Sequence, residues 1–419
     1  MKNFIKTLIF ITGLMTFLSI AVSFYLFKNK VYPFEQAGDK IIEISNDLLT
    51  DEGNLVTPEI VNTSIHKINS KKLKRDYDHI AILAEDKDTT TLLGVKGNGS
   101  LSTEIKIGIV IDQITYEKKS QTIEVETIYN IEDSQRVTDI LIQDERIFLS
   151  YVNVNDVGFA GLRIDEIIIE ENQSIKNILI YQTSFTSPPY VINASGGKMA
   201  IDGNNNIYLG VGTFNKDYLI DEANQPFGKI LVAKLNSNNE TLKFKIHAIG
   251  TRNVQGLVWS KFFKQLIATE HGPQGGDEIN LIKKKNYGWP HVTYGVPYGK
   301  ENTEGLFADS GGARYGSHDD YQEPIFAFIP SIGIKSIEQM GPDQYTFPYW
   351  SNNFIITSTR GIFRSKIIND SFGYRMVFME KLLECDSSDA CRDLAISRTG
   401  IIFTNSMQII TRNKSSNGN

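Results

Sequence analysis

From about residue 76 the chain is a succession of short apolar runs broken by Gly, Asn, Asp and Ser turns, and one strand–turn–strand unit returns along it at a nearly fixed interval. Segment 140–149 (ILIQDERIFL) echoes 199–209 (MAIDGNNNIYL), which echoes 257–267 (LVWSKFFKQLI); a further copy, 394–403 (LAISRTGIIF), lies near the C-terminus. The first three start about 60 residues apart, so roughly 340 residues divide into five or six units. Runs such as HIAILAED, TTTLLGVKG, EIKIGIVID and TIEVETIYNI fit strands bounded by turns, and long helical stripes are missing from this part. Radial repetition of four-stranded sheets makes a β-propeller; a β-sandwich pair or a β-solenoid is the alternative. With 41% hydrophobic residues the chain can bury a large core. A formal net charge of −6 argues against a dedicated nucleic-acid binder.

The chain starts differently. Residues 8–27, LIFITGLMTFLSIAVSFYLF, carry no charge and are long enough to span a bilayer as a helix. Phe24, Tyr25, Leu26 and Phe27 make a poor cleavage site, so residues 1–30 read as an uncleaved transmembrane anchor, with a cleaved secretory signal as the alternative. Lys2 and Lys6 precede the span and Lys28 and Lys30 follow it, so the charges do not orient it. Residues 31–75 read as a stalk or lead-in, in which IIEISNDLL and EIVNTSIHKI have helix-like periodicity. Residues 76–419 are left for the β domain. Cys385 and Cys391 flank an acidic loop and could close a small disulfide, which would persist in an oxidising compartment; two unrelated thiols are the other reading. If the anchor and the disulfide both hold, the β domain is expected on the periplasmic or another extracytoplasmic side of a membrane.

The densest candidate for chemistry is 268–281, ATEHGPQGGDEINL, followed by KNYGWP at 285–290. Gly272-Pro273 and Gly275-Gly276 force a tight excursion after a strand, which can turn backbone carbonyls toward a cation. Asp277 and Glu278 add hard carboxylate oxygens, a donor set that suits calcium. A Gly-rich hairpin with solvated acids is the alternative.

These residues resemble the soluble PQQ-dependent sugar dehydrogenases, the glucose/sorbosone dehydrogenase family. The resemblance rests on GTRNVQGL (250–257), EHGPQGGDEINLI (270–282), NYGWPHVTYG (286–295), EPIFAFIPSI (323–332) and CRDLAIS (391–397), and spans roughly residues 130–405. It implies a six-bladed β-propeller, here preceded by the N-terminal transmembrane helix. It also implies PQQ over the central channel, calcium, and a sugar substrate oxidised at its C1 hydroxyl. By the same resemblance Gly272 and Pro273 match carbonyl donors to the calcium at PQQ, and Glu278 and Tyr287 match ligands of a second, structural calcium. Arg252 and Asn253 match the pair that contacts the cofactor, and Arg392 and Arg360 match basic residues facing its carboxylates. A guanidinium suits a carboxylate through a two-point fork.

The resemblance breaks where the proton moves. In the family a His takes the hydroxyl proton; in INASGGKM (192–199) Ala194 stands in its place and Lys198 stands for an Arg. Thr213 occupies the place of the family's usual Asp, and the Gly-rich lead-in to the first matched strand reads SQRVTD at 134–139. Candidate substitutes for the base are His66, His79, His247, His271, His291 and His318. The expected function is therefore a membrane-anchored aldose sugar dehydrogenase-like quinoprotein with an unknown electron acceptor. A calcium-stabilised propeller that binds a ligand or partner without turnover is the alternative, and a metal-dependent, lactonase-like hydrolase has the fold alone in its favour.

Overall fold

The computed structural model describes residues 63–67 and 76–412, apart from 98–107, 121, 132–135, 171–174, 236–240, 274, 296–313, 316–319, 343–346, 348–349, 386–390, 399 and 405–406. The anchor reading of residues 1–30 lies outside the described residues, as does His318. Among the described residues no helix is long and apolar enough to cross a membrane. Ser64–Thr411 form one compact unit.

Strand β1 (Thr63–Lys67) is followed by six four-stranded sheets. The first holds β2 (His79–Glu85), β3 (Thr89–Lys96), β4 (Ile109–Glu117) and β5 (Thr122–Ile131). The second holds β6 (Arg136–Gln143), β7 (Arg146–Val154), β8 (Ala160–Ile169) and β9 (Ile175–Gln182). The third holds β10 (Gly196–Ile201), β11 (Asn206–Val211), β12 (Lys229–Lys234) and β13 (Lys245–Ile249). The fourth pairs β14 (Val254–Ser260), β15 (Gln265–Glu270) and β16 (Asp277–Ile282) with β19 (Phe326–Phe328), and its connection carries a small parallel pair, β17 (Val292–Thr293) and β18 (Arg314–Tyr315). The fifth holds β20 (Ile334–Gln339), β21 (Phe354–Ser358), β22 (Gly361–Asp370) and β23 (Gly373–Leu383). The sixth runs β24 (Leu394–Ser397), β25 (Gly400–Phe403) and β26 (Gln408–Arg412), and then β1.

The first strands β2, β6, β10, β14, β20 and β24 each touch the next around a closed ring. This is a six-bladed β-propeller, and the sequence echoes at 140, 199, 257 and 394 fall on its innermost strands. The interval is stretched only between β14 and β20, where β17 and β18 are inserted. Thr63–Lys67, in a segment with helix-like periodicity, is instead an edge strand on β26. Five residues hold less than two helical turns, and pairing with a waiting edge overrides so weak a local preference.

The core lies between blades. Phe148, Leu162 and Ile164 of the second sheet pack on Met199, Leu209 and Leu231 of the third, and Ile267, Ile279 and Leu281 of the fourth pack on Ile337, Phe354 and Ile356 of the fifth. Each such side chain contributes about 1.5–3 kcal/mol by leaving water. Tight turns hold the hairpins: Asp144 and Glu145 both take positive φ (47° and 67°) between β6 and β7, as a two-residue turn matched to strand twist requires. Cys385 and Cys391 form a disulfide that joins the end of the fifth blade to the approach of β24.

Candidate functional site

Every blade sends the beginning of its innermost strand to one end of the axis. There His79, Arg136, Thr138, Gly196, Lys198, Gln255, Lys335 and Arg392 line a pocket. These residues sit at the starts of β2, β6, β10, β14 and β20 and just before β24, so the ring closure itself assembles the site.

Its wall is cationic. Burial and the Arg392 and Arg136 charges push the Lys335 amine down to about 8. Burial and Arg392 push the Arg136 guanidinium down to about 10, with Asp78 acting against them. Asp78 is shared: Arg392 Nε lies 3.6 Å from it, and Lys96 Nζ and the Gly97 N–H also donate to it at 3.3 and 3.0 Å. Repulsion among these half-buried cations favours an anion between them.

Below the wall lies a buried charge network. Lys198 Nζ donates to Asp139 Oδ1 (2.9 Å) and Asp393 Oδ1 (3.3 Å) and lies 3.2 Å from His79 Nδ1, which is 3.1 Å from Asp393 Oδ2. The two carboxylates hold Lys198 charged despite burial. His79, Asp139 and Asp393 could surround a metal ion, but the Lys198 ammonium already supplies their central positive charge. Glu338 of β20 stands by, pushed up to about 8 by burial and by Asp393. Residues from five blades thus meet around the axis.

The 268–281 segment folds as β15, a glycine-rich turn and β16. Gly272 is obligatory, because a Cβ there would meet the Gly276 carbonyl oxygen at 1.7 Å. Arg252 Nη1 donates to the carbonyls of His271 and Gly272, both at 3.0 Å, and its guanidinium lies 5.3 Å from the Trp289 ring centroid. The Pro273 carbonyl accepts the Gly276 N–H at 3.2 Å. Each carbonyl keeps a second lone pair, so both fit a cation. Asp277 is otherwise engaged: its Oδ2 accepts the Ile334 N–H at 2.9 Å and ties β16 to β20.

Glu278 sits directly across from Glu270 in the β15–β16 ladder. Burial and the Glu323 and Asp277 charges push Glu278 up to about 7, and burial and Glu278 raise Glu270 well above the usual carboxylate range. Glu270 Oε2 and Asn280 Oδ1 are buried with no hydrogen-bond partner, while Asn280 Nδ2 donates to Glu278 Oε2 at 3.0 Å. Orphaned oxygens beside paired acids are a donor set that fits a hard divalent cation. The Tyr287 hydroxyl donates to the Leu281 carbonyl (2.6 Å) and accepts the Lys283 N–H (2.7 Å), which leaves its main-chain carbonyl as the available ligand.

The other candidates spread out. Asn253 is buried, accepts the Gly196 N–H (3.2 Å) and donates to the Asn193 carbonyl (3.1 Å), stapling blade four to blade three. Arg360 is exposed in the β21–β22 turn, outside the pocket lining. Ala194 is buried at the end of a single 3-10 turn, Ile192–Ala194, packed so closely that a Cβ on Gly212 would lie 2.1 Å from its carbonyl oxygen. The Thr213 hydroxyl accepts the Asn215 N–H at 3.2 Å.

Among the histidines, His66 falls on β1 and His247 lies on the outer strand β13 against Tyr208. His291 faces Asp221 at 3.1 Å. His271 has a buried, unpartnered Nε2, and burial with the Lys335 and Arg252 charges pushes it down to about 3. The sequence motifs assign no role to Arg136, Gln255, Lys335, Asp139 or Asp393, although Gln255 and Asp393 lie inside them; the common signal of all five is position near an innermost-strand start.

The family model described as "Glucose / Sorbosone dehydrogenase" matches residues 133–408. The aldose sugar dehydrogenase YliI of Escherichia coli K12 is 28% identical over 227 residues, which cover 51% of this chain and 58% of that protein. Quinoprotein glucose dehydrogenase B of Acinetobacter calcoaceticus is 52% identical over 48 residues, 11% of this chain and 10% of that one. The chain thus spans less than two thirds of the length of these curated relatives. The apo crystal structure of the soluble E. coli aldose sugar dehydrogenase superposes with a TM-score of 0.59 at 18% identity, covering 84% of this chain and 100% of that one. The PQQ-bound aldose sugar dehydrogenase of Streptomyces coelicolor gives 0.50 at 16% identity, covering 78% and 94%.

Proposed function

The chain belongs to the glucose/sorbosone dehydrogenase family, and from that premise we propose that it is a quinoprotein of the aldose sugar dehydrogenase type, which takes PQQ in the axial pocket and oxidises a sugar C1 hydroxyl without a histidine at position 194. The observation that carries this reading is the pair of mutually repelling cations, Lys335 and Arg392, that two blades turn into one pocket. PQQ is a tricarboxylate quinone and, when bound, supplies the acceptor for the two electrons of the sugar carbon. Lys335 and Arg392 would hold its carboxylates, and Arg252 would brace the loop that presents the Gly272 and Pro273 carbonyls to calcium. Glu270, Glu278 and Asn280 fit a second calcium that neutralises the β15–β16 acids.

What this chain does with the proton follows from Ala194. A methyl group cannot accept it, and the Thr213 hydroxyl already bonds its own turn. Neither residue 194 nor residue 213 can take the sugar proton, and the loss of a positioned base costs about 10²–10⁴-fold. The apolar run at 8–27 and the Cys385–Cys391 disulfide support a membrane-anchored protein with its propeller outside the cytoplasm.

The test is a titration of PQQ into the full chain with calcium, read by melting temperature, followed by aldose-dependent dye reduction. A ligand bound by the folded state alone raises the melting temperature. We expect a calcium-dependent rise, slow dye reduction, and at least a tenfold gain in kcat for Ala194→His. A rise with calcium but none with PQQ would leave the other reading, a calcium-stabilised propeller without this cofactor.

A further inference from the structure

Position 136 lies in the lead-in segment where this chain departs from the Gly-rich pattern of its family, and there it carries an arginine. Arg136 opens β6 on the pocket wall. Its Nη1 donates to the Asn193 side-chain oxygen and, at 3.5 Å, to the Ile192 carbonyl. Both acceptors are neutral, and both belong to the turn that ends in Ala194. No described carboxylate lies within ion-pair distance of Arg136; Asp78 acts on it from farther away and pairs with Arg392 and Lys96. At a single turn, then, the chain lacks a proton acceptor and holds a guanidinium whose hydrogen-bond partners there are neutral.

If the function proposed above holds, residue 194 is where a sugar hydroxyl would be met, and Arg136 is hydrogen-bonded to the turn that ends there. Lys335 and Arg392 reach the pocket from blades five and six, whereas Arg136 reaches it from blade two and is fastened to the 192–194 turn. A guanidinium presents a planar fork of donors that matches carboxylate or phosphate oxygens. We propose that Arg136 is a specificity-determining residue that binds the anionic group of a charged sugar, a hexuronate or a hexose phosphate, and seats that sugar against the 192–194 turn in preference to a neutral aldose. This inference rests on the sugar-oxidising reading for its biological sense, but the binding it predicts can be measured without turnover.

The experiment is calorimetric titration of glucuronate, glucose 6-phosphate and glucose into the full chain with calcium, with and without PQQ, for wild type, Arg136→Gln and Arg136→Lys. A charge-assisted hydrogen bond is worth about 10–100-fold in affinity. Wild type should bind glucuronate, glucose 6-phosphate or both at least tenfold more tightly than glucose, and which of the two binds identifies the anionic group. Arg136→Gln should erase that ratio, and Arg136→Lys should keep part of it. Equal binding of charged and neutral sugars, or an Arg136→Gln variant that weakens PQQ more than the charged sugar, would overturn the proposal. Charged-sugar binding through Arg136 without any PQQ binding would uphold it and sink the quinoprotein reading instead. PQQ binding with indifference among the sugars would do the reverse. Melting temperatures of both variants check that they fold.

Discussion

Lys335 holds its proton less tightly in the folded chain than in the unfolded one, because burial and two guanidiniums push its amine down to about 8 from the ordinary lysine value. The folded state therefore binds fewer protons than the unfolded one between about pH 8 and the ordinary lysine range, and this residue's contribution to stability improves as pH rises through that window. An anion in the pocket reverses the preference, since it favours the ammonium. PQQ binding above pH 8 should then take up a proton, and its affinity should fall by up to about tenfold per pH unit. Calorimetry in two buffers of different ionisation enthalpy measures the uptake; a pH-independent affinity between 7 and 9.5 would remove Lys335 from the site. Nothing in SIGIKSIEQM marks this lysine, because it reads as an ordinary strand residue until β20 is known to start at the axis. Arg392 was singled out through its motif and does line the pocket, whereas Arg252, singled out the same way, braces the 271–272 carbonyls. Asn253 was expected to contact the cofactor; its hydrogen bonds as a staple between blades depend on Gly196 and Asn193, some 60 residues away in sequence.

At the scale of elements, the β15–β16 hairpin combines two demands that ordinarily conflict. Its strands are fully buried in the case of β16, yet they carry Glu270, Asp277 and Glu278. Asp277 is satisfied by the start of the next blade, but Glu270 and Asn280 keep orphaned oxygens. Calcium should stabilise this hairpin by mass action, about 2.7 kcal/mol at a hundredfold excess over its Kd. Glu278→Gln should remove most of the calcium-dependent rise in melting temperature while leaving a folded propeller; an unchanged rise would move the calcium elsewhere. The hairpin was visible in the sequence as strand, Gly-rich turn and strand, and so were the strands of the first blade. Not visible was which acid serves the backbone, as Asp277 does, and which is left facing another acid, as Glu278 is, since the two are neighbours pointing to opposite sides of one strand.

The whole molecule is closed by a strand from outside the repeat. Three strands of the sixth sheet follow the fifth blade, and its outer strand, β1, precedes the first. The repeat spacing predicted the ring but not this join, because TSIHK has too little pattern to declare an edge strand and only the unpaired side of β26 gives it a place. The join matters to function because every blade supplies the pocket, so any loosening of the ring loosens the pocket. A five-residue edge strand contributes about 2–5 kcal/mol if its hydrogen bonds net about 1 kcal/mol each. Removing residues 1–67 should therefore lower the melting temperature relative to a chain starting at residue 31, by roughly 2–4 °C for each kcal/mol lost. It should also leave the β26 edge open, and open edges pair with other chains. The shortened protein should self-associate as its concentration rises, measured by light scattering, and adding the peptide TSIHK within a longer synthetic 58–70 segment should reverse both effects. If the melting temperature and the monomer fraction are both unmoved, the ring holds on β24 to β26 alone and β1 is a passenger on its rim.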